Sequence, residues 1–303
     1  MLAQLIIPYL LASMLTILCF QPGVITVGRW NNSVSDWSAT ALKLSIISNA
    51  IESPEVRVSF NYCGTCKYYI DVSINCKTFE VFPVSNSTTS INFTIPNHTY
   101  RERYDITITK RSEPNTGVIT LEGIRVLNSE IIISDDKRNR CDDYRRKMIV
   151  IGDSINIGYG VEGEDPCPYS ADTENVLHAY GYLTATRLSS LVHVIAWSGR
   201  GVVRNYGEGP GEVGSPTVPQ LYNRTLATAA TSAQNLWDPN DYQVCAIVAH
   251  ECIYMCMNVG MNLLSCLGCI LCMYCTCMYV CMYVCMYVPR PSSICMYVCM
   301  YCS

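Results

Sequence analysis

Between residues 28 and 134 apolar and polar side chains alternate in short runs broken by turn formers, the period-two signature of strands with one buried face. Runs at 41–47 (ALKLSII), 55–62 (EVRVSFNY), 68–74 (YYIDVSI), 79–84 (FEVFPV), 90–96 (SINFTIP), 104–110 (YDITITK) and 118–127 (VITLEGIRVL) carry it. They are rich in Val, Ile, Thr and Tyr, and their spacing suits a β-sandwich. No amphipathic helix of useful length separates them, which disfavours parallel α/β structure in this half.

At Met148 the pattern changes. MIVIGDS is a continuous apolar run into Gly-Asp-Ser, the form of a strand buried on both faces. Residues 180–189 (YGYLTATRLS) read as helix, and 192–201 (VHVIAWSGRG) as another strand ending in a glycine turn. Strand, helix and strand with polar residues at the strand C-termini predict a parallel sheet. The architecture expected is a β-sandwich over 24–134, a charged solvated linker over 135–147 and an α/β domain over 148–243.

Both ends depart from this. Residues 1–23 carry no charge, and their apolar run at 5–20 is broken by Pro8. That run is short of the roughly 20 residues a membrane span needs, so a cleaved signal peptide is expected, with an uncleaved anchor as the alternative. In 244–303, Cys-Met-Tyr-Val recurs; 13 of the 19 cysteines lie at or beyond Cys245, and no charge falls between Glu251 and Arg290. The four bases TGTA, repeated and read in triplets, encode Cys-Met-Tyr-Val in every frame without a stop. Translated repeat DNA, joined near Gln243 or Val244, is therefore the expected origin of the tail. A C-terminal membrane span over 252–288 is the alternative, although lipid demands no strict four-residue cycle. No metal is expected, because spaced histidines are missing from the cysteine pattern.

The net charge of −4 and pI near 5.6 leave no basic stripe for nucleic acid. Sequons at Asn31, Asn86, Asn92, Asn97 and Asn223 agree with export and glycosylation. A secreted protein would tend to pair Cys63, Cys66, Cys76, Cys141 and Cys167, an odd set that leaves one thiol over. Cys63-x-x-Cys66 reads as a structural disulfide rather than a zinc or redox motif. Membrane association is expected only if the leader stays uncleaved or the tail is a real span.

Gly152-Asp153-Ser154 is the informative triplet. A serine at a strand-to-helix elbow has an exposed hydroxyl, and its N–H lies near a helix N-terminus that favours a developing oxyanion. Gly152 permits the turn, and Asp153 reads as a turn-stabilising carboxylate, too close in sequence to orient a base.

MIVIGDSINIGYG resembles block I of the SGNH hydrolases, and residues 195–201 (IAWSGRG) resemble block II. Within that group the chain resembles carbohydrate esterase family 2, whose members join a jelly-roll domain to an SGNH domain. The likeness extends to Val27-Gly28-Arg29, to KRSEPNTGVITLEGIRV from Lys110, to Thr173-Glu174-Asn175 through Arg187, and to PQLYNRTLA and Trp237-Asp238-Pro239. It implies a serine esterase in which Ser154 attacks an acetyl ester of a polysaccharide or glycan, while the N–H groups of Ser154 and Gly199 hold the oxyanion. No cofactor is implied. Arg200, Arg204 and Asn205 would shape the sugar-binding mouth, with an ordinary loop role as the alternative.

Two family elements lack counterparts, the Gly-x-Asn-Asp block and a late histidine base. After WDPNDYQ the sequence runs VCAIVAHECIYMCMN, and Asn240-Asp241 follows Pro239 with no strand to deliver it. His98, His178, His193 and His250 each read as satisfied or solvated rather than basic catalysts. The resemblance thus implies a C-terminally truncated esterase, close to inactive as given. A non-catalytic glycan-binding or scaffold protein is the second reading. A lipase is a third, without an apolar lid segment near Ser154 to support it.

Overall fold

The computed structural model describes residues 22–133 except 62 and 64, and residues 146–238 except 210, 211 and 213. It gives backbone alone at 143–145, 246–249, 280–286 and 295–300. The leader, residues 134–142 and most of the tail lie outside these residues.

Ten strands build the first unit: β1 (Val24–Val27), β2 (Val34–Ser35), β3 (Ala41–Ser48), β4 (Glu55–Phe60), β5 (Lys67–Ile74), β6 (Lys77–Ser85), β7 (Ser90–Thr94), β8 (Arg103–Lys110), β9 (Ile119–Leu127) and β10 (Ser129–Ile131). One sheet has the order β1-β3-β8-β5-β6, with β10 also on β3; the other has the order β2-β9-β4-β7. All their pairings are antiparallel. Alternate residues of the two sheets meet in one core: Leu42, Leu44 and Ile46 from one, Val56, Val58 and Phe60 from the other. Burying each such side chain contributes about 1.5–3 kcal/mol. This is the β-sandwich that the alternation predicts, and all seven expected strands form within a residue or two of their runs.

β8 breaks the alternation, being buried at every residue from Tyr104 to Lys110. The cause is a second contact face. Val27 and Ala41 cluster with Leu191, and Ala39 with Met148 and Val150, so the outer side of this sheet is covered by the second unit.

That unit is a parallel sheet of β12 (Ser190–Ala196), β11 (Asp143–Gly152) and β13 (Ala246–Ala249), continued by antiparallel β14 (Val280–Met286) and β15 (Cys295–Met300). Helix α1 (Tyr180–Arg187) lies on it, so close that a Cβ on Gly181 would meet Val150 Cγ1 at 2.6 Å. A shorter helix, α2 (Val218–Tyr222), follows. Two boundaries differ from the sequence expectation. β11 starts at Asp143, within the segment expected to be linker, because Asp143–Met148 has β12 to pair with. β13 lies past Gln243, since four apolar residues, AIVA, suffice to add a parallel strand beside β11. Among the described residues no helix is long and apolar enough to cross a membrane.

Cys63 and Cys66 form a disulfide, Cys76 is also disulfide-bonded, and Cys167 is a half-buried free thiol. Cys141 lies outside the described residues.

Polar groups seal the two units together. Asp36, fully buried, accepts from the N–H groups of Ala227 (2.9 Å) and Thr228 (2.8 Å) and from the Thr228 hydroxyl (2.7 Å). Trp37 Nε1 donates to Thr225 O at 2.9 Å. The Arg29 guanidinium stacks 3.8 Å from the Trp237 ring centroid and donates to Tyr222 O and Arg224 O. Arg111 makes a bidentate pair with Asp71 (2.7 and 3.0 Å) and reaches Glu162 at 2.8 Å.

Candidate active site

Gly152, the last residue of β11, is in parallel register with Ala196, the last residue of β12. The chains leaving these neighbouring strands at one sheet edge carry Ser154 and Gly199.

The helix expected after Ser154 is not formed. Residues 153–162 make a bend and successive turns instead. Asp153 Oδ1 accepts from Ile155 N–H at 3.0 Å, Asp153 O from Asn156 N–H at 3.1 Å, and Ser154 O from Tyr159 N–H at 3.0 Å. Glycines account for the departure: Gly158 and Gly160 adopt φ of 72° and 63°, which a right-handed helix excludes. Ser154 therefore has no helix dipole behind it and relies on individual N–H groups. Asp153 does serve as the turn-stabilising carboxylate. Buried Asn156 braces the turn from below, its Nδ2 donating to the Tyr180 hydroxyl at 2.8 Å.

On the other strand Gly199 has φ 74°, and its carbonyl accepts from Tyr206 N–H at 2.8 Å. Ser154 is half-buried and Gly199 exposed. Among the described residues no hydrogen bond engages the Ser154 hydroxyl or the Gly199 N–H, so both are available to a ligand. Arg200 stacks 4.4 Å from the Trp197 ring centroid, and burial lowers the pKa of its guanidinium. Arg204 is exposed. Asn205 is held within its own loop: its Oδ1 accepts from Gly201 N–H (3.2 Å), and its Nδ2 donates to Glu208 Oε1 and Ser215 O (both 2.8 Å).

The histidines are engaged elsewhere. His193 is buried beside the Trp237 ring at 6.2 Å, and burial drives its pKa well below the usual imidazole value. His178 Nδ1 lies 3.2 Å from Glu162 Oε1, and His98 Nδ1 lies 3.2 Å from Ser53 Oγ. His250 is outside the described residues. Of the sequon asparagines, Asn86, Asn92, Asn97 and Asn223 are exposed; half-buried Asn31 donates to Gln234 O at 3.3 Å.

Two carboxylates at the site were not singled out from sequence. Glu113, fully buried in the sandwich turn after β8, accepts from Ser198 N–H at 2.8 Å through Oε2. Fully buried Glu174 accepts from Glu113 N–H at 2.5 Å through Oε1. Burial first, and then the Glu113 charge, push the Glu174 carboxyl up to about 8, against an opposing pull from Lys110. Both glutamates lie in segments that carry the family likeness, yet nothing in the spacing showed that the segments meet. Tyr206, 93% exposed beside Gly199, also passed unnoticed as one tyrosine of 21.

No protein-family model matches the chain. It is 28% identical over 147 residues to an acetylxylan esterase/glucomannan deacetylase of Cellvibrio japonicus, covering 48% of this chain and 37% of that protein. It is 24% identical over 247 residues to the cellulase/esterase CelE of Acetivibrio thermocellus, covering 80% and 26%. Among solved structures, a family 2 carbohydrate esterase with a carbohydrate-binding domain from Corynascus thermopiles superposes with TM-score 0.57 at 27% identity, covering 69% and 59%. The chain is similar to carbohydrate esterases of family 2. A family two esterase from Clostridium thermocellum, solved in complex with cellohexaose, shares the fold with TM-score 0.61 at 22% identity, covering 75% and 65%. The chain spans well under half the length of the two curated relatives it matches.

Proposed function

We propose that this protein is a secreted serine esterase that removes O-acetyl groups from carbohydrate, built as a jelly-roll domain followed by an SGNH domain. One observation carries the reading: Ser154 and Gly199 leave the C-terminal ends of two adjacent parallel strands in register, Gly152 against Ala196. Ligand sites of parallel sheets lie at that edge. Ser154 Oγ adds to the acetyl carbonyl, and the N–H groups of Ser154 and Gly199 receive the oxyanion. The tetrahedral intermediate collapses by breaking the bond to the sugar oxygen, which leaves as a hydroxyl with the proton that Ser154 gave up. Water then attacks the acetyl-Ser154 ester to release acetate and restore the serine. Arg200 and Arg204 flank the mouth where the sugar enters, and the exposed sequons carry glycans acquired on export.

The base is not found among the described residues. No described histidine is free of another engagement, and the residues after Ala249 enter the cysteine-rich repeat. We read that repeat as translated TGTA DNA. Turnover by this chain is then close to nil; loss of the serine or histidine of a triad removes roughly a million-fold in kcat. A fluorophosphonate tests the nucleophile without requiring turnover. In a transcript-corrected version that carries the family's late histidine, Ser154 should be modified and the Ser154→Ala variant should not; labelling that persists in Ser154→Ala rejects the assignment. Sequencing the spliced transcript across codon 243 tests the tail: CMYV codons in frame would make the repeat a real part of the protein. Without a base, a glycan-binding role is the second reading, and the exposed Tyr206 ring beside Gly199 favours it as a stacking face for a sugar.

A further inference from the structure

The KRSEPNTG segment bears the family likeness but has no place in the chemistry above. It leaves β8 and turns toward the edge of the other unit's sheet. Lys110 Nζ, fully buried, donates to Ser112 O (2.6 Å) and Glu113 O (2.8 Å). Thr116 Oγ1 donates to Glu113 O at 2.7 Å, and Glu174 accepts from Glu113 N–H. The Glu113 backbone is thus held at both its N–H and its carbonyl. The side chain crosses into the second unit and, through Oε2, accepts from Ser198 N–H, 85 residues away.

Ser198 immediately precedes Gly199. On the other side, the Gly199 carbonyl is held by Tyr206 N–H. The Gly199 N–H therefore lies between two fixed points, one of them a carboxylate from the other domain. An oxyanion donor is effective only when pre-aimed at the position the oxygen will occupy. We propose that Glu113 is a positioning residue, through which the sandwich domain fixes the Trp197-Ser198-Gly199 turn and so aims the Gly199 N–H. The proposal rests on the reading of Gly199 as an oxyanion donor. It also gives the sandwich a part in the reaction without any contact with the ester.

The test compares Glu113→Gln, which keeps an acceptor oxygen, with Glu113→Ala, which has none, using the full chain for exchange and a transcript-corrected version with the late histidine for labelling. Amide hydrogen exchange of Ser198 and Gly199 is followed by NMR against the β12 amides Val192 to Ile195, and the second-order rate of fluorophosphonate labelling at Ser154 is measured beside it. In Glu113→Ala, exchange at Ser198 should accelerate while β12 keeps its protection, and labelling should slow about tenfold or more. Glu113→Gln should rescue both to within about threefold. A loss of general stability alone would not produce that rescue. Unchanged Ser198 exchange in Glu113→Ala overturns the proposal, as does unchanged labelling in a protein whose parent labels at Ser154. A parent that does not label defeats the nucleophile reading instead, and exchange at Ser198 then decides the Glu113 contact by itself. Should Glu113→Ala not fold, Glu113→Asp, one methylene shorter, replaces it with the same expectations.

Discussion

Asn156 occupies the space that a side chain at Gly152 would need. A Cβ on Gly152 would stand 2.0 Å from Asn156 Oδ1 and 2.5 Å from its Cγ. Asn156 has little room to withdraw, because it is buried and tied to the Tyr180 hydroxyl on α1. Gly152→Ala is therefore expected to destabilise by about 1–3 kcal/mol through overpacking. Denaturant unfolding measures this, and a cycle with Asn156→Ala identifies the cause. If the clash is responsible, the double variant should lose less than the sum of the singles. Additive losses would place the origin of the effect elsewhere.

At Gly199 the constraint is on the backbone rather than on space. The nearest atom to a Cβ there would be Tyr206 Cβ at 3.7 Å, ordinary contact, but φ is 74°. A branched side chain in that region costs about 1–3 kcal/mol, and asparagine tolerates it better. Gly199→Val is expected to turn the peptide and slow labelling of Ser154 by about 10²–10³, the usual cost of one lost oxyanion donor. Gly199→Asn should retain most of the rate. Equal rates for Val and Asn would remove the Gly199 N–H from the mechanism.

The sandwich strands were legible because each, from 41–47 to 118–127, alternates and is closed by turn residues. The short β1, β2 and β10 were not, since two to four residues hold too little periodicity to be seen. The buried polar row of β8 was hidden for another reason: Thr107 and Thr109 look solvent-facing until a second unit covers them. At the site, Gly152-Asp153-Ser154 and the Gly199 turn could be read locally. Their mutual placement needed only the parallel pairing of β11 and β12. The helix expected after the Gly-Asp-Ser elbow does not form because Gly158 and Gly160 adopt positive φ, which the elbow triplet alone does not reveal. Glu113, Glu174 and Ser198 illustrate the limit of a linear reading, as their contacts join residues 61 to 85 positions apart.

Glu174 gives the protein a pH dependence of definite sign. Its carboxyl is raised in the folded state from an ordinary 4.5 to about 8, chiefly by burial and next by the Glu113 charge. Between those values the native state binds more protons than the unfolded chain, so stability falls as pH rises. The contribution is complete below about pH 4.5 and lost as pH passes through 8. Lys110, the facing cation, is lowered to about 8 by burial, so its own effect, of opposite sign, lies between 8 and its ordinary 10.5. Buried His193, whose pKa lies well below the ordinary imidazole value, adds an effect of opposite sign below about pH 6.5, but it is common to parent and variant, so their difference between pH 5 and 8 isolates the carboxyl. Glu174→Gln keeps an acceptor for Glu113 N–H and cannot ionise. It should match the parent near pH 5 and exceed it in stability at pH 8. Parallel melting-temperature curves for the two proteins across that window would show that Glu174 is already ionised in the fold.

Asp36 offers a test of how firmly the two units are joined. Its carboxylate is buried and serves three donors on the segment after α2, two of them backbone N–H groups of Ala227 and Thr228. Asp36→Ala strands those N–H groups away from water, and each unsatisfied donor costs about 1–3 kcal/mol. The neighbouring Trp37 is buried and donates to Thr225 O across the same seam, so its environment reports the junction. Unfolding of the parent should be a single transition, because the packing of Ala39 on Met148 and Val150 and the Arg111–Glu162 pair couple the units. In Asp36→Ala the seam should open first. The shift of Trp37 fluorescence toward that of exposed indole should precede the loss of β-sheet circular dichroism, with Trp30, Trp197 and Trp237 changed singly to Phe to assign the signal. Asp36→Asn should fall between the two, since one of its carboxamide atoms still accepts while the other now faces a donor. Coincident transitions at the parent's midpoint in Asp36→Ala would mean that the hydrophobic contacts alone hold the domains together.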